Sequence, residues 1–243
     1  MVVALKRINA SILIAVLCSS CLMPTALADV PKGPYIGIEG GAAWTGPLTF
    51  EPFYHNCAIL YPCALNYNSI TFDVGYAAGV QVGYAFGGPR VEFEYNYRNN
   101  AADTIASPSG TQAAVGSLAS SNFMVNLFYD FDTGSHWVPY AGFGLGLSDV
   151  SANTVRPSSG TGIGSFIDGG SSKLSAQFIF GIEYAVSDRF GVMLDWRGLW
   201  ASSVSYKYGI GCPGGGTTNC AQTGTTTYDY WNGALNIGLH VRF

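Results

Sequence analysis

The chain has 243 residues, of which 48% are hydrophobic and only 11% charged, against about 25% charged in soluble domains, and its formal net charge is −4. With 32 glycines and 14% aromatic residues, neither a wholly disordered chain nor a Lys/Glu-rich helical protein fits. The length suits a single domain, because all-β barrels of this size commonly form one.

Lys6 and Arg7 form a short positive region, the apolar stretch from Ile12 continues to Leu22, and Ala26-Leu27-Ala28 supplies the small residues of a cleavage site. Residues 1–28 are therefore expected to be a cleaved signal peptide and residues 29–243 the mature domain. The apolar run is shorter than the roughly 20 residues a helix needs to cross a bilayer, so a retained anchor is the weaker reading. A lipid anchor at Cys21 is also weaker, because Cys18-Ser19-Ser20 precedes it where an aliphatic residue is expected. Without Lys6 and Arg7 the mature chain has nine bases against fifteen acids, a net charge of −6. Nucleic acid is excluded as a partner, since binding it rests on clustered Lys and Arg.

No later segment offers a transmembrane helix, and period two takes over. Strands are expected near 34–44, 72–86, 90–98, 121–131, 137–148, 173–186, 190–200 and 229–243. In the second, Tyr76, Val80, Val82, Tyr84 and Phe86 alternate with Gly79, Gln81, Gly83 and Ala85. The third sets Val91, Phe93, Tyr95 and Tyr97 against Arg90, Glu92, Glu94, Asn96 and Arg98, so one face is apolar and the other ionic. The sixth, seventh and eighth repeat the pattern, the last with Trp231, Leu235, Ile237, Leu239, Val241 and Phe243 on one side. Tight turns are read at Gly87-Gly88-Pro89, 132–136 and 187–189. Long loops are read at 45–71, 99–120, 149–172 and 201–228.

Short turns at one end and long loops at the other describe an eight-stranded antiparallel transmembrane up-and-down β-barrel. A β-sandwich explains the alternation equally well. It does not explain strands of about ten residues, the alternating connection lengths, or aromatics at strand ends such as Trp44, Phe86, Tyr97, Tyr129, Trp137, Trp200 and Trp231.

Eight strands enclose an interior just wide enough for side chains. The inward set is expected to be Glu39, Glu92, Glu94, Asp130, Glu183 and Asp195 against Arg90, Arg98, Lys173, Arg197 and Arg242, an ion-pair network in which Arg197 serves carboxylates from several strands. Gly142, Gly144 and Gly146 lie inside a strand and face inward, leaving room for bulky neighbours such as Tyr140, and they do not form a nucleotide loop. Of the three possible pairings of Cys57, Cys63, Cys212 and Cys220 in exported loops, the two local disulfides Cys57–Cys63 and Cys212–Cys220 are favoured over a link between the first and fourth loops. Their spacing lacks the geometry of a structural zinc site, and no metal or cofactor is implied.

Pro34-Tyr35-Ile36-Gly37-Ile38-Glu39-Gly40-Gly41, Arg90-Val91-Glu92-Phe93-Glu94-Tyr95, Tyr129-Asp130-Phe131, Val138-Pro139-Tyr140-Ala141-Gly142-Phe143-Gly144-Leu145-Gly146 and the terminal Phe243 resemble the OmpA-like and opacity-type outer-membrane β-barrel family of Gram-negative bacteria. The resemblance implies location in the outer membrane among its lipids. It also implies delivery by periplasmic chaperones to the barrel-assembly machinery through Leu239, Val241 and Phe243. The peptidoglycan-binding domain of longer family members has no counterpart here, so no cell-wall tether is carried over.

The functional expectation is a monomeric outer-membrane barrel with a structural and surface-interaction role, its four extracellular loops meeting a host or surface ligand. The alternative is a small-solute porin with a narrow or gated lumen. A lipid-modifying enzyme is the reading from another class. It is set aside because, of His55, His136 and His240, only His55 falls on the outer-leaflet side, with no serine elbow beside it.

Overall fold

The computed structural model describes residues 30, 32–49, 53–54, 64–65, 69–107, 110–158, 165–210 and 222–243. Eight long strands run in chain order: β1 (Lys32–Thr45), β2 (Gly75–Phe86), β3 (Pro89–Ser107), β4 (Gly110–Asp130), β5 (Trp137–Pro157), β6 (Ser165–Ala185), β7 (Phe190–Ile210) and β8 (Gln222–Arg242). Each pairs antiparallel with the next. β8 then pairs back onto β1, with Leu239 opposite Ile38 and Leu235 opposite Ala42, so the sheet closes on itself. Between β1 and β2 the short strands Leu48–Thr49 and Ser69–Phe72 extend the wall against β3, and Phe53–Tyr54 pairs with Ala64–Leu65.

The β2–β3 connection shows why these residues turn where they do. Gly87 and Gly88 have φ of 82° and 130°, backbone states that side chains with a Cβ rarely adopt. The chain therefore reverses in two residues and hands the alternation of β2 directly to β3.

In this turn-side half the exterior is apolar. Phe190, Val192, Leu194, Trp196 and Trp200 of β7 point outward, as do Leu235, Ile237 and Leu239 of β8, whose side chains are about half exposed. The alternate positions Asp195, Arg197, Asn236 and His240 are buried inside. Such a surface fits hydrocarbon, and closure leaves no strand edge unpaired there.

The other half differs from the sequence reading. Segments 99–120, 149–172 and 201–228, expected as loops, are largely strand: β3 and β4 pair as far as Ser107 opposite Gly110, and β7 and β8 as far as Ile210 opposite Gln222. The physical reason is that a strand clear of hydrocarbon has no need of an apolar outer face, so the alternation used to find it stops while the ladder continues. A belt of β-bulges marks the change, at Ala101/Thr104, Val115/Ser117, Ile167/Gly169 and Ala201/Val204. Two of them hold non-glycine residues at positive φ, Thr154 at 44° and Ser203 at 54°. Carboxylates on the neighbouring strand fix both, Asp168 accepting from the Thr154 N–H at 3.0 Å and Asp229 from the Ser203 N–H at 2.9 Å.

A bulge adds one residue and so exchanges the faces of its strand. Along β7 the inward series Asp195, Arg197, Leu199, Ala201 continues after the bulge as Val204 and Tyr206. The interior turns apolar at the belt, from Leu118, Val150, Leu199 and Tyr230 on its turn side to Ile105, Val155, Val204 and Tyr206 beyond it, and these join Leu48, Ile70 and Ile167 in one buried cluster. The exterior there is polar, as at Asn153, Ser172, Lys207 and Thr227. Interior and exterior have traded polarity.

This arrangement predicts a depth-dependent response to charge. Leu194→Arg, in the middle of the apolar band, should lower folding stability in vesicles by about 2–4 kcal/mol. Thr227→Arg, on the outer face beyond the belt, should change it by no more than about 0.5 kcal/mol. Urea titration of vesicle-folded protein measures both, and equal losses would place the bilayer elsewhere.

Candidate functional site in the barrel interior

Of the charged residues assigned above to the lumen network, all but Lys173 are buried inside the barrel: Glu39 on β1, Arg90, Glu92, Glu94 and Arg98 on β3, Asp130 on β4, Glu183 on β6, Asp195 and Arg197 on β7, and Arg242 on β8. The arrangement is layered from the turn end upward. In the first layer Arg242 pairs with Glu183, whose other oxygen lies 2.8 Å from His240 Nδ1, and Gln81 Nε2 lies 3.3 Å from His240 Nε2. Beside them Arg90 meets Asp130 at 3.1 Å, while its guanidinium lies 4.3 Å from the Phe128 ring centre and 4.8 Å from that of Tyr140. Aromatic faces thus serve this arginine where further hydrogen-bond acceptors are missing.

Arg197 forms the middle layer. Its Nη2 is 2.6 Å from Glu39 Oε2 and 2.9 Å from Asp195 Oδ2, and its Nη1 is 2.5 Å from Glu94 Oε2. Three carboxylates from β1, β3 and β7 therefore converge on one planar donor set, which a lysine ammonium could not hold in the same fork geometry. Neutral groups complete the shell. Tyr140 Oη donates to Asp195 Oδ2 at 3.0 Å, Gln177 Nε2 to Glu94 Oε2 at 2.8 Å, and Asn96 Nδ2 to Glu94 Oε1. Glu92 has no arginine within ion-pair distance among the described residues. It accepts from Tyr35 Oη at 2.7 Å and from Asn126 Nδ2 at 3.0 Å.

Arg98 forms the uppermost charged layer and differs from the other three buried arginines. Its Nη1 donates to the backbone oxygen and Oδ1 of Asn232, each at 3.1 Å, and its Nε to Asn96 Oδ1 at 3.2 Å, with no carboxylate in ion-pair range among the described residues. Directly above it the apolar cluster begins, with Ser120 and Tyr230 hydroxyls 3.1 Å apart at the border.

Other assigned positions fall elsewhere. Lys173 keeps the inward register opposite Ser148 but is only half-buried. Leu239, Val241 and Phe243 lie on or beside the outer face at the turn end, Phe243 being 74% exposed. Cys57, Cys63, Cys212, Cys220 and His55, together with residues 1–28, lie outside the described residues. The glycines of β5 do face inward, but the ring that a Cβ at Gly142 would strike is Phe128, and it is Gly181 that makes room for Tyr140.

The neutral members of the network are left out of the expected inward set, although Gln81 and Asn96 stand on the polar faces read for the second and third strands. Gln81, Asn96, Asn122, Asn126, Gln177 and Asn236 are buried inside. Their signal was available in the register: Asn126, for example, stands between the outward Val125 and Leu127. Chemically the interior binds and neutralises charge. Among the described residues no group of three or more His, Cys, Asp or Glu side chains is placed to hold a metal ion.

A family model described as an outer membrane protein beta-barrel domain matches residues 12–243. No curated protein matches the chain. Among solved structures the chain is similar to Neisserial surface protein A, at 18% identity and a TM-score of 0.52, covering 87% of this chain and 97% of that one. It is similar to the outer membrane protein OprG from Pseudomonas aeruginosa at 14% identity and a TM-score of 0.54, covering 88% and 98%. The outer membrane protease OmpT from Escherichia coli shares the fold at 10% identity and a TM-score of 0.50, covering 89% and 99%. A fold shared by a surface protein and a protease does not by itself assign an activity.

Arg197→Ala should lower stability by about 3–5 kcal/mol, because it strands three buried carboxylates. Arg197→Lys should recover only part of that loss, and Tyr140→Phe, which removes one hydroxyl donor, should lower stability by about 1 kcal/mol. The temperature at which the compact, fast-migrating form disappears on an unboiled gel reports each. A wild-type temperature for Arg197→Ala would remove it from the centre of the network.

Proposed function

The chain belongs to the outer-membrane β-barrel protein family and resides in a bacterial outer membrane, and from that premise we propose that it is a closed barrel with a structural and surface-interaction role. The observation that carries this reading is the filled interior: Arg197 ties carboxylates of three strands together across the lumen at 2.5–2.9 Å. Filling of this kind favours packing over the passage of solutes, since buried charges are tolerated when paired.

The reading is non-catalytic. His240 is engaged with Glu183 and Gln81, and His136 Nδ1 lies 3.0 Å from the Ala185 carbonyl oxygen in a turn. Among the described residues neither is hydrogen-bonded to a serine, threonine or cysteine, as the base of such a nucleophile would be. Partners follow from the two ends. The apolar band meets outer-membrane lipid, Leu239, Val241 and Phe243 address the periplasmic chaperones and the assembly machinery, and the strand-built extracellular end meets a host or surface ligand as a monomer.

Refolded protein in planar bilayers tests this. Silence across many insertions is expected, with gel mobility confirming a folded barrel. Steady single-channel currents from the wild-type chain would overturn the closed-barrel reading in favour of a narrow porin.

A further inference from the structure

Two layers of opposite chemistry stand in series inside this barrel, and the closed-barrel reading above uses only one of them. The turn-side half carries six buried carboxylates, Glu39, Glu92, Glu94, Asp130, Glu183 and Asp195, against the four buried guanidiniums of Arg90, Arg98, Arg197 and Arg242. The extracellular half carries a buried apolar cluster to which six of the eight long strands and, through Leu48 and Ile70, two of the short strands of the first connection contribute. Leu199, Val150, Val204 and Tyr206 there are 0% exposed, so no water-sized space adjoins them.

We propose that this apolar cluster is a second seal in series with Arg197, and that the ionic half beneath it is a cation-selective path once both are opened. The inference rests on the closed-barrel reading. An ion entering the apolar layer loses its hydration and finds no paired charge in return, and a narrow apolar constriction excludes water by dewetting. Removing Arg197 therefore opens only the lower barrier. It also leaves six carboxylates facing three guanidiniums, so the freed space attracts cations and repels anions. The seal does not depend on a single residue, because Ile105, Leu118, Val150, Val155, Leu199 and Val204 come from four different strands.

The test compares bilayer currents in potassium chloride for four proteins: wild type, Arg197→Ala, the seal variant Leu118→Ser/Leu199→Ser, and the triple variant combining all three changes. Heat-dependent gel mobility establishes that each is folded. Arg197→Ala and the seal variant should each remain silent. The triple variant should conduct, with a reversal potential in a salt gradient showing about fivefold or greater preference for potassium over chloride. If the triple variant does not fold, Arg197→Ala/Val204→Thr replaces it, hydrating the seal with a side chain of the same shape. Steady currents from Arg197→Ala alone, with the wild type silent, would show that no second seal exists and would leave the closed-barrel reading intact. Silence of the folded combined variant, currents from the seal variant alone, or a conducting variant without cation preference would each overturn the proposal. Currents from the wild type would instead sink the reading on which it rests.

Discussion

Hydrocarbon offers no partner to a backbone N–H or C=O, and the pairing of β8 with β1 is what removes the need for one. Everything else in the molecule follows from that closure. A ring of eight strands has an inside too narrow to be left to bulk water and too wide to be left empty, so side chains must fill it. Because the outer face of the same strands is committed to lipid, alternate positions are the only ones available for that filling. Polar residues are admitted there on the condition that each finds a partner across the ring.

The condition is met in two different ways. Around Arg197 it is met by geometry: a planar cation with five donors donates to Glu39, Glu94 and Asp195 at once, while Asn126, Gln177 and Tyr140 take up remaining lone pairs. Around Arg90 it is met by aromatic faces, with Phe128 and Tyr140 packed on the guanidinium and Asp130 as the one carboxylate. The first solution ties strands together and the second closes the turn end. Tyr140 belongs to both, its ring on Arg90 and its hydroxyl on Asp195, so the two layers are coupled through one side chain.

How much of this was legible in the sequence depended on what the bilayer demands of each segment. Between Val91 and Tyr97, lipid requires an apolar residue at every second position, and Arg90, Glu92, Glu94 and Arg98 are thereby assigned to the inside. Charged residues announce themselves in that register, whereas Asn126 and Gln177 read as ordinary polar residues until the strands around them are placed. Past Ala101 the demand lapses. Ala102, Ile105, Leu118, Val150 and Val204 carry an inward apolar series, but it is interrupted by bulges that shift its phase, and a pattern with two phases reads as a loop. Asp168 and Asp229, which hold those bulges through the Thr154 and Ser203 amides, could not be recognised without knowing which strand lies alongside.

The exchange of polarity is therefore more than a boundary marker. A barrel with a polar interior is stable only where its exterior is apolar and bathed in lipid. Once the strands leave the bilayer that exterior has to be polar, and the only source of hydrophobic burial left is the inside. The bulge belt lets one continuous set of strands satisfy both regimes, because a one-residue insertion exchanges the faces without breaking the ladder below it. The tall extracellular end thus has its own core of the kind a soluble barrel has. That core lets hairpins such as β3–β4 and β7–β8 stand clear of the membrane as ordered strands instead of trailing as loops.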